Sequence, residues 1–149
     1  MDSSSGHLRR LRSFLALSAP ERALAVRSIW WLAVARIVIH RVSIARLRRW
    51  LDGIGPGRRP TDPLSVRRAV LRAARTLPGS SCLAQSVAAE VLLRAGGQPV
   101  RMTIGVDGSR APGAPTVDVH AWVESGGVLV AGDGPIDRYR ELVRFGTDR

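Results

Sequence analysis

The sequence predicts an α+β domain with helices first and a small antiparallel sheet after them. Two observations carry this. Up to Ala95 helix starts and stops recur, and between Val66 and Leu77 the apolar residues follow steps of three and four, the period of a helix with one buried face. From Val100 onward they recur at every second residue, the period of a half-buried strand. Size agrees: 149 residues, 45% of them apolar, make one compact domain that buries roughly 68–70% of its extended surface. A second large catalytic domain is excluded.

Ser18-Ala19-Pro20-Glu21 opens the first helix, with Ser18 as N-cap and Glu21 closing a capping box. The helix continues to about Trp50, bent or broken on the way, and its last turns set Val42, Ile44, Leu47 and Trp50 among arginines. The segment DGIGPGRRP, residues 52–60, is a loop by its glycine and proline content and the one subdomain boundary. Thr61 or Asp62 caps the next helix, with Pro63 near its first position. Val66, Ala69, Val70, Ala73 and Leu77 form its apolar face, and Pro78-Gly79 stop it. A third helix runs from Cys82 to Ala95, capped by Ser81 and ended by Gly96-Gly97. Strands follow at Val100–Asp107, Val117–Glu124 and Val128–Ala131, with the loop SRAPGAPT after the first and a tight Ser125-Gly126-Gly127 turn after the second. The organisation is a flexible basic N-terminus over 1–17, a basic helical lead-in over 18–60 and a core domain over 61–149.

All 23 basic residues are arginine, against 12 acids, for a net charge of +11. Residues 1–75 hold 16 arginines and 4 acids, whereas residues 76–149 hold 7 arginines and 8 acids. The front half is therefore the adhesive half, suited to an acidic peptide or protein or to an anionic membrane surface. Its arginines would also attract nucleic acid, but no recognition helix or aromatic RNA-binding motif accompanies them, so no nucleic acid is expected. The opening MDSSSGHLRRLRSF has no secretory pattern. Leu24–Ile39 is the most hydrophobic stretch, but Arg27 and Arg36 leave only eight uncharged residues between them, against the ~20 that cross a bilayer. This helix is expected to pack in the core or to lie at a surface, where Trp30 and Trp31 suit an interface.

Few residues are available for chemistry. One cysteine excludes a disulfide framework and any multi-cysteine metal site. His7, His40 and His120 are too dispersed for a histidine cage, and no glycine-rich phosphate loop is present, so neither metal nor cofactor is expected. Cys82 reads either as a small buried hydrophobe or as a nucleophile in the first turn of its helix, where unpaired N–H groups favour the thiolate. His120 lies on the more polar side of its strand. If Gly126-Gly127 form the turn and Ser125 faces Val128, then Trp122 faces Ala131 and His120 faces Asp133, with Cβ atoms about 4.5–5.5 Å apart. A slip of one residue would move Asp133 to the opposite face. Asp118 and Glu124 rank second and third as the acid. The set would support acyl transfer: His120 takes the Cys82 proton, Asp133 orients the ring, and the Cys82 backbone N–H serves the oxyanion. Trp122 would wall the site or pack on the sheet. Gln85 lies one turn beyond the cysteine.

Cys82-Leu-Ala-Gln85, the helix end LLRAGGQPVRMTIGV, His120-Ala-Trp-Val-Glu124 and Gly132-Asp133 together resemble the lasso peptide biosynthesis protein B family in its stand-alone leader peptidase form. The amino-terminal FLALSAPERALAVRSIWWLAVARI is similar to that family's helical lead-in, and the resemblance covers about residues 11–145. It implies a papain/transglutaminase-like fold, with the nucleophile helix packed on a small antiparallel sheet. It also implies a cysteine peptidase that cuts the leader from a ribosomally synthesised lasso precursor, with Cys82 as nucleophile, His120 as base and Asp133 as third member. The partners implied are the precursor peptide, a separate leader-recognition protein, a macrolactam synthetase and an exporter; the expected location is the cytoplasm, with a peripheral contact at the inner face of the membrane through the Trp-bearing helix. The competing readings are a transglutaminase-like amidase or acyltransferase, and a non-catalytic scaffold of a biosynthetic complex.

Overall fold

The computed structural model describes residues 14–55, 57, 60–107 and 118–146. The N-terminal segment up to residue 13, His7 included, and the SRAPGAPT loop lie outside the described residues.

The first helix, α1, spans Ala19–Arg41. The Ser18 amide and hydroxyl both donate to Glu21 Oε2, at 2.9 and 2.6 Å. These bonds, the hydroxyl's first, hold the Glu21 carboxyl below the usual carboxylate range. The long helix expected to run to Trp50 is broken. Val42 and Ser43 are extended, and Ser43 caps a new helix, α2, over Ile44–Asp52. The break has a local cause: Val42 is β-branched and Ser43 favours the extended cap conformation over the helix interior.

Helix α3 spans Pro63–Thr76, and its cap Asp62 accepts from the Ser65 amide at 2.9 Å and the Ser65 hydroxyl at 3.0 Å. Those two bonds, the amide's first, lower the Asp62 pKa. Helix α4 spans Cys82–Ala95, with Ser81 Oγ accepting from the Ala84 amide at 3.2 Å and Gly97 in the left-handed region at φ +68° past its end. Seven apolar residues between Ala84 and Leu93 are buried. This helix is the centre of the molecule, packed by α1, α3 and the sheet, so it needs apolar residues on every face rather than one.

The sheet is four-stranded and antiparallel, built from β1 (Arg101–Asp107), β2 (Val119–Ser125), β3 (Val128–Ala131) and β4 (Tyr139–Gly146), in the order β3-β2-β1-β4. A short 3₁₀ turn over Ile136–Arg138 leads into β4. The expected strands are present and the α+β reading holds, with β4 added. Its sequence YRELVRFG is exposed at most positions and carries no clean alternation.

Two charged residues, Arg48 and Glu90, are buried among the described residues. Glu90, in the middle of α4, is fully buried and is held by Arg48 Nη1 at 2.7 Å and Arg94 Nε at 2.8 Å, while Asp52 accepts from both arginines at 3.1 Å. This cluster locks α2 onto α4.

Candidate functional site

Cys82 is the first residue of α4, free and half-buried. The loop before it is fastened from two sides: Ser80 Oγ donates to the Leu77 carbonyl at 2.6 Å, and Gln85 Nε2 donates to the Ser80 carbonyl at 3.0 Å. Gln85 thus shapes the approach to Cys82. One turn on, the buried Ser86 hydroxyl donates to the Ala121 carbonyl at 3.1 Å. That bond ties the start of α4 to β2 beside His120.

The His120 ring lies between two aromatic neighbours. Its centroid is 4.9 Å from that of Tyr139 and 6.1 Å from that of Trp122, with interplanar angles of 28° and 23°. Its Nε2 is 3.0 Å from the Gly132 carbonyl. A carbonyl can only accept, so Nε2 carries the proton and the lone pair of the neutral ring is on Nδ1. Trp122 is buried at 7% exposure, its ring laid against Gly105 on β1, where a Cβ would come within 3.1 Å of the indole. Trp122 is thus packed within the sheet beside the His120 ring.

The acid does not stand where the hairpin count puts it. The turn is as expected: Gly126 and Gly127 have φ of +55° and +79°, and Ser125 pairs with Val128. One pair later the register shifts. Glu124 faces Leu129 but Val123 faces Ala131, so Val130 is the extra residue of a bulge. Trp122 no longer faces Ala131. The chain then turns at Gly132 (φ +82°), where a Cβ would meet the Ala121 carbonyl at 2.3 Å, and it is the Gly132 carbonyl that meets the histidine. Asp133 goes to Arg67 of α3, at 2.8 Å. The same guanidinium donates to the Leu129 carbonyl at 2.6 Å, bracing β3.

The other two carboxylates considered for the histidine are likewise held by arginines. Asp118 accepts from Arg138 at 2.8 Å and from the Tyr139 hydroxyl at 3.1 Å, and Glu124 pairs with Arg101 at 3.3 Å. The Tyr139 phenol is pushed above its ordinary value, by burial first and by the Asp118 bond second. Tyr139, Arg67 and Arg138 were not readable as site residues. The only sequence signal is that Tyr139 is the chain's single tyrosine.

These findings correct the expectation of a cysteine peptidase. No Cys–His–Asp triad is assembled: no hydrogen bond joins the Cys82 thiol to the His120 ring, and Asp133 pairs with Arg67 rather than with His120. Nor do three His, Cys, Asp or Glu side chains converge to hold a metal among the described residues. The hydrolase, protease and leader-peptidase readings fall with the triad.

The lasso-peptide pathway reading does not fall with them. The sequence profile of the transglutaminase-like superfamily matches residues 29–144, well over half of the chain. That span takes in the larger part of α1 and everything from α2 to all but the last two residues of β4. Neither the curated proteins nor the solved structures provide a match. The α+β order, with helices leading into an open antiparallel sheet, agrees with the profile. The chain belongs to the transglutaminase-like superfamily, in the family associated with lasso peptide biosynthesis protein B.

Proposed function

We propose that the protein is a non-catalytic interaction subunit of lasso peptide biosynthesis, a scaffold that holds the precursor peptide beside the proteins that process it. The observation behind this reading is that Asp118, Glu124 and Asp133 are each engaged by an arginine. The polar groups around His120 thus stabilise the fold instead of standing ready for proton transfer.

In this reading the stacked rings of His120 and Tyr139 form the contact surface for an extended peptide. Trp122 and Gln85 are its supporting wall, and the Arg67–Asp133 pair braces the strand beside it. Cys82 serves as a small half-buried side chain at the helix start. The edge strands β3 and β4 offer backbone groups to which an extended peptide adds as a further strand. Partner proteins then assemble around this peptide surface. These partners are a separate leader-recognition protein, the macrolactam synthetase and an exporter, with the work done in the cytoplasm.

The test is reconstitution. Precursor, recognition protein and synthetase are combined with the chain or with its Cys82→Ala variant, and the mature peptide is followed by mass spectrometry. Equal yields with both, and loss of product when the chain is omitted, are expected. Loss of product with a Cys82→Ala protein that melts normally would overturn the scaffold reading.

A further inference from the structure

Helix α1 carries apolar residues on more than the face it buries. Leu24, Ala25, Ser28, Leu32 and Ala35 are buried in the packing against α3 and α4. Ala23, Val26, Trp30, Ala33 and Ile37 follow one another at steps of three and four, so they form one stripe on a different face. Val26, Trp30 and Ile37 in that stripe are 55%, 64% and 63% exposed. A second apolar stripe left exposed on an already docked helix marks a surface for something else to cover.

By length and mean hydropathy alone α1 reaches the threshold of a membrane span, despite the interruptions at Arg27 and Arg36, and only 22% of its apolar window is buried within the chain. Its packing excludes crossing, because the face from Leu24 to Ala35 is part of the core shared with α3 and α4. Lying flat costs none of those contacts. A cavity of about 290 Å³ lined by Trp31, Val34, Val38, Arg46 and Trp50 carries the apolar surface from α1 to α2, where Ile44 and Trp50 are also exposed.

Charge selects the occupant. Arg27 lies between Ala23 and Trp30 on the helix surface, and Arg41 lies one turn beyond Ile37. With Arg46 and Arg49 of α2 they are exposed, and none of the four pairs with a carboxylate among the described residues. The acids of this region are engaged elsewhere: Glu21 with Ser18, and Asp52 with Arg48 and Arg94. A second copy of the chain would set arginine against arginine. A neutral apolar partner would leave the guanidinium groups unanswered. An apolar stripe bearing tryptophan, edged with unpaired cations, matches a phosphate-rich interface over an acyl layer.

We propose that the α1–α2 face seats on an anionic phospholipid bilayer. Helix α1 lies in the plane of the interface, Val26, Trp30 and Ile37 enter the acyl boundary, and the arginines meet lipid phosphates. The inference uses no residue of the His120 site and stands or falls independently of the scaffold reading.

The experiment is flotation of the full chain with vesicles of phosphatidylcholine containing phosphatidylglycerol, and with phosphatidylcholine alone. Binding to the anionic vesicles is expected, about tenfold or more weaker on the neutral ones and weakened by salt. Trp30→Ser with Ile37→Ser lowers it at least about tenfold, while Arg27→Gln with Arg41→Gln weakens it and flattens the salt dependence. All four side chains are removed from the surface, and unchanged melting of each variant checks this. No flotation with anionic vesicles, or undiminished flotation of both double variants, would overturn the proposal. So would a dimer in solution that Trp30→Ser with Ile37→Ser abolishes, since a second copy would then be the occupant.

Discussion

Two arginines occupy matching settings in the helical layer and in the sheet. Arg48 bridges Glu90 and Asp52 and lies over the Phe145 ring, 4.5 Å from its centroid. Arg138 bridges Asp107 and Asp118 and lies over the Tyr139 ring, 5.0 Å from its centroid. Each of the two guanidiniums meets two carboxylates and one aromatic face, and in the first cluster Arg94 also engages both carboxylates. Burial separates the two arginines and the closer carboxylate of each. The Arg48 side chain is 9% exposed and Glu90 is fully buried, whereas Arg138 is 45% and Asp118 38% exposed. A contact inventory is therefore not an energy. Water screens the Arg138–Asp118 pair and competes for its partners, although Asp107 is itself only 6% exposed. In the first cluster Arg48 and Glu90 depend on the protein for what water would otherwise supply, whereas Asp52 is 60% exposed and keeps its hydration.

The sharpest way to break the parallel is to truncate the buried member. Arg48→Ala leaves Glu90 inside the core with Arg94 as its remaining cation, and removes the cover over Phe145. Breaking a buried pair from one side costs about 3–5 kcal/mol, which lowers the melting temperature by roughly 10 °C in a chain of this size. Replacing both charges, as Arg48→Met with Glu90→Leu, should recover most of the loss, because the penalty lies in the orphaned charge. Thermal melts of the three proteins decide this. A single variant melting within a degree or two of the parent would show that the cluster is no more costly to break than a surface pair.

In the exposed cluster the expected effect appears as titration rather than melting. Tyr139 is the only tyrosine, so its ionisation can be followed alone by near-ultraviolet absorbance. Its pKa stands above the ordinary 10.0, through burial first, then the hydrogen bond to Asp118, with Arg138 pulling the other way. Because the folded state holds the phenol proton more tightly, the associated stability is fully present below the unfolded value. It is lost as pH rises through the folded one. Asp118→Asn removes the anion that opposes tyrosinate, and the midpoint should move down toward 10.0. An upward or absent movement would mean that burial alone sets the ionisation.

The same contrast explains what could be read from the sequence. Helices α1, α3 and α4 were legible from period, and Ser18, Asp62 and Ser81 from their place before it, because cap and face are local properties. A lone acid inside CLAQSVAAEVLLRA marks a buried charge with a distant partner, but nothing local identifies Arg48 among so many arginines. The hairpin turn was legible as well, since two adjacent glycines select it. The bulge at Val130 was not: it depends on the close packing of Gly132 against Ala121 and Trp122, which no local rule reports. That one residue moved Asp133 from His120 to Arg67. Strand β4 was missed for the opposite reason, since an edge strand exposed at most positions is under little pressure to alternate.

A third arginine pair sets the lower end of the scale. Arg144 donates to Glu141 along β4, with the two side chains 51% and 41% exposed. The geometry is as close as that of the buried pair, so a count of contacts would rank the two together. Solvation ranks them apart. Both groups keep most of their hydration, and ordering two long side chains offsets the modest attraction that water and salt leave between them. Glu141→Ala should change stability by no more than about 0.5 kcal/mol, and still less in high salt. Urea unfolding at low and high ionic strength measures both. A loss of several kcal/mol would mean that β4 depends on this pair for its pairing with β1, and that exposure is the wrong variable by which to order the three clusters.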